Sequence, residues 1–228
     1  HWLESGLAAG TMKNRMAALR WWAARVDKSN AVARSNDHYG LPRRQYATSA
    51  NRAKALDEEK LSRVTDPHIR MSLELQREFG LRREEAIKLR PGLADKGTVL
   101  WLKPSWTKGG RAREVPIRTE EQRAVLDRAR QLAGKESLIP SHKNYKQQLN
   151  LYEGQCFRAG LMRMHGLRHA YAQRRFAEIA GFCAPLAGGP KRADLSTDER
   201  ALDKKARAVI SHELGHHREA ITVVYLGR

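Results

Sequence analysis

Cysteine is scarce in this 228-residue sequence: Cys156 and Cys183 are the only two, without metal-ligand spacing. A multi-bridge disulfide framework is excluded, and a reduced, intracellular setting is expected. Long apolar runs are missing as well. None approaches the roughly 18 residues that a membrane span needs, no signal peptide opens the chain, and no internal repeat or low-complexity tract interrupts it. The first residue is His1 and not methionine, so the sequence reads as a fragment of something longer. Acid is short relative to base. Asp and Glu number 25 against 43 Lys and Arg, a formal charge of +18 and a pI near 10.4. Such an excess points to a polyanionic partner, nucleic acid first, with a ribosome-associated or merely basic protein as the bland alternative. At this length the chain holds one large domain or two small ones, with enough residues to bury a core.

What is present is mostly helical periodicity. Thr11 reads as the cap of an amphipathic helix whose apolar stripe is Met12, Met16, Leu19, Trp22 or Ala23, and Val26. Lys13, Arg15 and Arg20 sit elsewhere on its circumference and could meet phosphates. Residues 40–54 carry no sustained apolar period and read as a basic linker containing Arg43 and Arg44. The expected division is a small helical domain over 1–50 and a second domain over 51–228. In the latter, Asp57-Glu58-Glu59 makes an acidic first turn, Pro67 opens a helix through about Phe79, and Arg82 to Leu89 gives a short helix closed by Pro91-Gly92. The period then changes to that of strands. Residues 98–103 and 112–117 flank Thr107-Lys108-Gly109-Gly110 as a small hairpin, with Arg111 just past the turn. Helices return from Thr119, which with Gln122 resembles a capping box. Ser141 reads as the cap of a helix through about Ala159, and His165-Gly-Leu-Arg168-His leads into another that Gly181 ends. Residues 182–195 form a loop, and Ser196 with Glu199 caps a last long helix.

Two incompatible chemistries can be read in the closing stretch, Ser211 to Arg228. His212, Glu213 and His216 spell H-E-x-x-H, the helical zinc-peptidase signature with a glutamate as general base. Its extended form would place Gly at 219 and His at 222, where Glu219 and Thr222 stand, so a third ligand is missing. A strongly basic surface also has no evident use in a peptidase. The other reading is phosphodiester chemistry. Displacement at phosphorus builds charge on the equatorial oxygens, and a metal-free site must meet it with fixed cations and donors. Arginine suits this because its planar fork binds two phosphate oxygens at once. Lysine can protonate a leaving oxygen, and tyrosine can attack once a base takes its proton. In order, the chain offers Gly80-Leu81-Arg82-x-x-Glu85, Lys108, His165-x-x-Arg168, Leu214-Gly215-His216 and Tyr225.

Over about residues 55–228 this series resembles the catalytic domain of the tyrosine recombinases, the phage-integrase family. Arg82 matches the family's first arginine, Glu85 the acidic position behind it, and Lys108 the β-hairpin lysine. His165 and Arg168 match H-x-L-R, His216 the L-G-H histidine, and Tyr225 the nucleophile. Each alone would pass for a helix-surface cation, a solvated turn lysine, a satisfied histidine or a packed aromatic; their joint order carries the resemblance. The first fifty residues are similar, more weakly, to the family's helical core-binding domain. The resemblance implies a mainly α fold with a small antiparallel β-sheet, preceded by a small helical domain. It implies site-specific cleavage and rejoining of double-stranded DNA through a 3′-phosphotyrosine, with no cofactor and no metal, by a homo-tetramer on DNA. That action would take place in the cytoplasm, at the nucleoid. Arg82 and Arg168 would grip the phosphate, His165 and His216 donate to it with His165 also the candidate base, and Lys108 protonate the 5′-oxygen. The DNA-contacting set is expected to include Lys13, Arg15, Arg20, Arg43, Arg44 and Arg111. The alternatives are a zinc peptidase and a DNA-binding protein with idle chemistry; a type IB topoisomerase-like relaxing enzyme is the nearest enzymatic one. Three departures from the family stand out. His217-Arg218 stands where the family often has a small capping residue ahead of the Tyr225 helix. The run from Arg168 to His216 is long, so residues 182–205 look like an insertion. The chain also stops shortly after Tyr225, where family members often extend a segment onto a neighbouring subunit.

Overall fold

The computed structural model describes residues 1–43, 50–216 and 219–228, with only the backbone of Glu219 and Ala220. Two compact units result, His1–Tyr46 and Ala47–Arg228. In the first, α1 (Ala9–Arg25) begins two residues ahead of Thr11, with Ala8 at the cap position and no side-chain cap. Its expected apolar stripe is only partly buried. Met12, Met16 and Ala23 are covered, while Leu19, Trp22 and Val26 are exposed. The reason is the size of this unit's core, which consists of Met12, Met16 and Leu41 flanked by Trp2, Leu7, Val32 and Tyr39. Two three-residue 3-10 turns and the loops around them cannot cover the full stripe of a 17-residue helix.

The second unit is organised around α3 (Pro67–Phe79), buried on both faces. Asp66 caps it by accepting from the His68 and Ile69 amides, and Pro67 fills the first helical position. Ile69 and Leu73 face one core, shared with α2 (Glu58–Ser62), α7 (Tyr145–Arg158) and Ile87 of α4 (Arg83–Lys88). Leu75 and Phe79 face a larger one. It joins α6 (Glu120–Ala133), α8 (Gly166–Ala180), α9 (Thr197–Glu213) and the strands β1 (Val99–Leu102) and β2 (Arg113–Pro116). Fully burying a side chain such as Leu100 or Phe79 contributes roughly 1.5–3 kcal/mol, so these two clusters outweigh every surface ion pair. The strands pair antiparallel, with Leu100 opposite Val115 and Leu102 opposite Arg113.

Some boundaries differ from expectation. Pro91 does not close a helix but starts the single turn α5 (Pro91–Ala94). The cap of α7 is Asn144 and not Ser141, because Asn144 and Gln147 form a reciprocal capping box. Thr119 accepts from the Gln122 amide, but the Gln122 side chain turns to the Arg118 amide and the Glu78 carbonyl. The loop after α8 holds two 3-10 turns, Pro185–Ala187 and Arg192–Asp194. The chain ends in a 3-10 turn, Glu219–Thr222, that runs into α10 (Val223–Leu226).

Candidate active site

The site is built on a buried carboxylate. Glu85, on the first turn of α4, accepts from the Arg82 backbone amide at 2.7 Å and from Arg82 Nη1 at 2.7 Å. Arg113 of β2 grips the same carboxylate with both ends of its fork, Nη1 to Oε1 at 2.7 Å and Nη2 to Oε2 at 2.6 Å. Burial by itself would raise the Glu85 pKa, but the Arg113 hydrogen bonds and the charges of Arg113, Arg168 and Arg82 outweigh it and hold the group at about 2. Arg113 also donates through Nε to the Glu213 carbonyl at 3.0 Å. One ion cluster thus ties α4, the hairpin and the end of α9 together, and it fixes where Arg82 and the Lys108 turn stand. Arg113 was not among the expected site residues. Its signal was present: it alternates with buried Val115 on one face of a strand, and a cation on a buried face requires an anionic partner.

Arg168, on the first turn of α8, is 1 % exposed. Its Nη1 donates to the Gly80 carbonyl at 2.6 Å, its Nη2 to the Leu214 carbonyl, and its Nε to the Tyr225 hydroxyl at 3.4 Å. Burial, together with Arg82 and Arg113, lowers its pKa to about 10, so it stays charged at neutral pH. Tyr225 on α10 is 5 % exposed and lies among three imidazoles. Ring centroids are 4.6 Å away for His169, 5.6 Å for His216 and 6.3 Å for His165. The Arg168 guanidinium carbon is 5.9 Å from the tyrosine ring centre. His165 opens to solvent on one side, yet protein packs around the rest of its ring, and this desolvation with Arg168 and Arg82 lowers its pKa. Desolvation also pulls His216 down to about 3, with help from the arginines, and His169 down to about 4, with help from His165 and Arg52. All three imidazoles are therefore neutral at pH 7. His216 Nε2 and His169 Nδ1 are buried without a hydrogen-bond partner. His169 was not among the residues expected from sequence, although its i+4 spacing from His165 puts both on one face of α8.

Lys108 is exposed on the turn between the strands. Thr107 closes that turn, its hydroxyl donating to the Arg111 carbonyl at 2.6 Å and accepting from the Arg111 amide at 3.1 Å. A cavity of ≈ 330 Å³ brings Lys108, Arg82, Arg111, Arg113, His212 and His216 together. Of the other basic residues singled out from sequence, Arg20 donates to the Ala33 carbonyl and Asn36 Oδ1 at 2.8 and 2.9 Å. Arg15 stacks over the Trp2 ring at 5.5 Å, Lys13 is half-buried and Arg43 is exposed. Arg44 lies outside the described residues, as do His217 and Arg218.

The H-E-x-x-H string does not fold as a zinc helix. α9 stops at Glu213, and Gly215 takes a left-handed turn (φ 65°) that removes His216 from the helix. Glu213 points into the core, where it accepts from the Tyr171 hydroxyl at 2.7 Å and Arg175 Nε at 3.0 Å. A carboxylate so engaged cannot serve as the base on a metal-bound water. Among the described residues no cluster of three His, Cys, Asp or Glu could hold a metal ion, and no helix is long and apolar enough to cross a membrane.

A sequence model of the integrase family matches residues 44–174, more than half of the chain. The chain belongs to the integrase family. The matched segment contains Arg82, Lys108, His165 and Arg168, while His216 and Tyr225 lie beyond it. Among solved structures, the XerH site-specific recombinase in a pre-cleavage complex with its difH substrate is 18% identical at a TM-score of 0.52. The match covers 97% of this chain and 63% of that one, so this chain spans under two thirds of its length. The Tn1549 transposon integrase (aa 82-397) in complex with circular intermediate DNA is 14% identical at a TM-score of 0.58, covering 100% of this chain and 78% of that one. At such identities the likeness speaks for the fold, which is mainly helical with one small antiparallel sheet. No curated protein matches the chain.

Proposed function

We propose that this integrase-family chain cleaves and rejoins double-stranded DNA at a specific site, through a 3′-phosphotyrosine at Tyr225. The observation that carries this reading is the Tyr225 hydroxyl beside Arg168 Nε, within a set of neutral imidazoles and next to the Arg82–Lys108 cavity. Such a site supplies what phosphoryl displacement needs. Arg82 and Arg168 hold the phosphate oxygens, and His216 Nε2, buried without a hydrogen-bond partner, supplies a donor or acceptor still to be satisfied. His165 takes the tyrosine proton, the phenolate oxygen bonds to phosphorus, and the bond to the 5′-oxygen breaks as Lys108 gives that oxygen a proton. Religation reverses each transfer with another 5′-hydroxyl. One ester replaces another, so neither ATP nor a metal is called for.

The Tyr225 hydroxyl lies 3.4 Å from Arg168 Nε, so a phosphate held by that guanidinium sits beside the nucleophile. Each chain carries a single Tyr225, and exchanging two duplexes takes four strand cuts, which supports a homo-tetramer on DNA. The first unit, with Lys13, Arg15, Arg20 and Arg43, adds backbone contacts as a core-binding domain, Arg111 adds another beside the site, and the working place is the nucleoid. The test is incubation with a pool of nicked duplexes, in chelator, followed by denaturing electrophoresis and mapping of adducts. A covalent adduct at one sequence is expected. Binding with no adduct would make the chain a DNA binder, relaxation without sequence preference would make it a topoisomerase, and loss of cleavage in chelator would restore the metal reading.

A further inference from the structure

We propose that Asn51 and Gln173 are positioning residues that hold the Tyr225 turn in its reactive place. α10 is a single helical turn, too short to be stable alone, so the position of the Tyr225 ring depends on what its backbone is fastened to. The Tyr225 carbonyl accepts from Gln173 Nε2 at 3.0 Å. The same amide nitrogen donates to Asn51 Oδ1 at 2.9 Å, and Asn51 Nδ2 returns a longer bond of 3.5 Å to Gln173 Oε1. Both hydrogens of the Gln173 amide are thereby used, one on the nucleophile's own carbonyl and one on residue 51.

Asn51 is itself anchored. Its Oδ1 accepts a second bond, from the Ala53 amide at 2.9 Å. The strip that follows is fastened to the start of α8, with the Lys54 amide donating to the Gly166 carbonyl at 3.1 Å and Lys54 Nζ to the Met162 carbonyl at 2.9 Å. The approach is close enough that a Cβ on Gly166 would lie 2.6 Å from Lys54 Cγ and 2.7 Å from the Arg52 carbonyl. Only glycine fits between His165 and the strip. Residues 51–54 therefore lie along the helix that carries His165, Arg168 and His169 and reach its far partner, Tyr225, through Gln173. The turn has a second fastening, Arg207 Nη1 to the Gly227 carbonyl at 3.0 Å. Losing the first should shift the turn without unfolding it.

This inference rests on Tyr225 being the nucleophile, and two readouts separate the two ideas. The first is hydrogen exchange of the amides of residues 223–227 in the DNA-free full chain. Asn51→Ala and Gln173→Met should speed exchange there, while Asn51→Asp, which keeps the Oδ1 acceptor but sets a second oxygen against Gln173 Oε1, should lie between wild type and Asn51→Ala. The second is the rate of adduct formation on the nicked duplex that wild type attacks. Both loosening variants should react about tenfold more slowly, the scale of one lost hydrogen bond, with unchanged DNA affinity and Asn51→Asp in between. Unchanged exchange in both variants overturns the proposal. So does faster exchange with an unchanged rate, which would make the tether structural only. Faster exchange together with no wild-type adduct on any duplex would leave the tether standing and sink the nucleophile reading instead.

Discussion

Arg168 has five N–H groups, and the fold already engages three nitrogens: two on the carbonyls of Gly80 and Leu214, one on the Tyr225 hydroxyl. It is a core residue and, in the proposed mechanism, a site residue as well. Arg168→Lys keeps the charge but cannot span both carbonyls, leaving at least one buried acceptor unsatisfied at a cost of roughly 1–3 kcal/mol. Thermal unfolding should show that loss, and adduct formation should fall by about 10²-fold or more; an unchanged melting temperature would contradict the core role. The histidines give a pH dependence. His169 and His216 have folded values near 4 and 3, below the ordinary 6.5, so the unfolded chain binds the extra protons as pH falls. Stability is full above pH 6.5 and is lost progressively from there toward pH 3–4. Melting at pH 5 should lie below melting at pH 7.5, and His169→Gln should narrow the gap. An equal gap in the variant would mean that His169 titrates normally.

At the scale of elements, the hairpin and α4 act as one piece because Glu85 and Arg113 lock them. Removing one partner of a buried pair leaves the other charge uncompensated, so Glu85→Gln should destabilise by roughly 3–5 kcal/mol, measured by denaturant unfolding. A change within error would mean that the cluster is hydrated and not closed. The Glu85 contribution is present above its ordinary value of 4.5 and is lost as pH falls through about 2. Much of this architecture was legible beforehand. Pro67 and Gly80 bracket α3, Ser196 with Glu199 starts α9, and the period change at residue 98 announces the strands, all local signals. What escaped depends on distant partners. The H-E-x-x-H spacing cannot reveal that Gly215 breaks the helix between its histidines, or that Tyr171 and Arg175 already hold Glu213. Arg113 and His169 sat at readable positions, but the contacts that give them meaning come from β2 against α4 and from α10 against α8. The α1 stripe failed for the opposite reason: periodicity says what a helix could bury, and the described first unit has too little else to cover it.

For the whole molecule, a formal charge of +18 would make contact with phosphates the main source of the proposed DNA affinity. Binding to duplex DNA should fall by orders of magnitude between about 50 and 200 mM salt, as counterion release requires. Salt-independent binding, read by fluorescence anisotropy, would contradict that. Removing residues 1–43 should weaken binding further while leaving the unfolding transition of the second unit in place, since that unit has its own two cores. Equal affinity after truncation would deny the first unit a part in holding DNA.

The proposed cleavage depends on one oxygen. Tyr225→Phe deletes the hydroxyl beside Arg168 and keeps the ring among His165, His169 and His216, so folding and DNA affinity should be preserved. Wild type and variant are compared on a duplex nicked next to the mapped site, which traps the covalent product, by denaturing electrophoresis. Wild type should form a covalent protein–DNA adduct and the phenylalanine variant none. An adduct in the variant would place the nucleophile elsewhere, and a wild type that binds the mapped duplex without ever forming one would contradict the account.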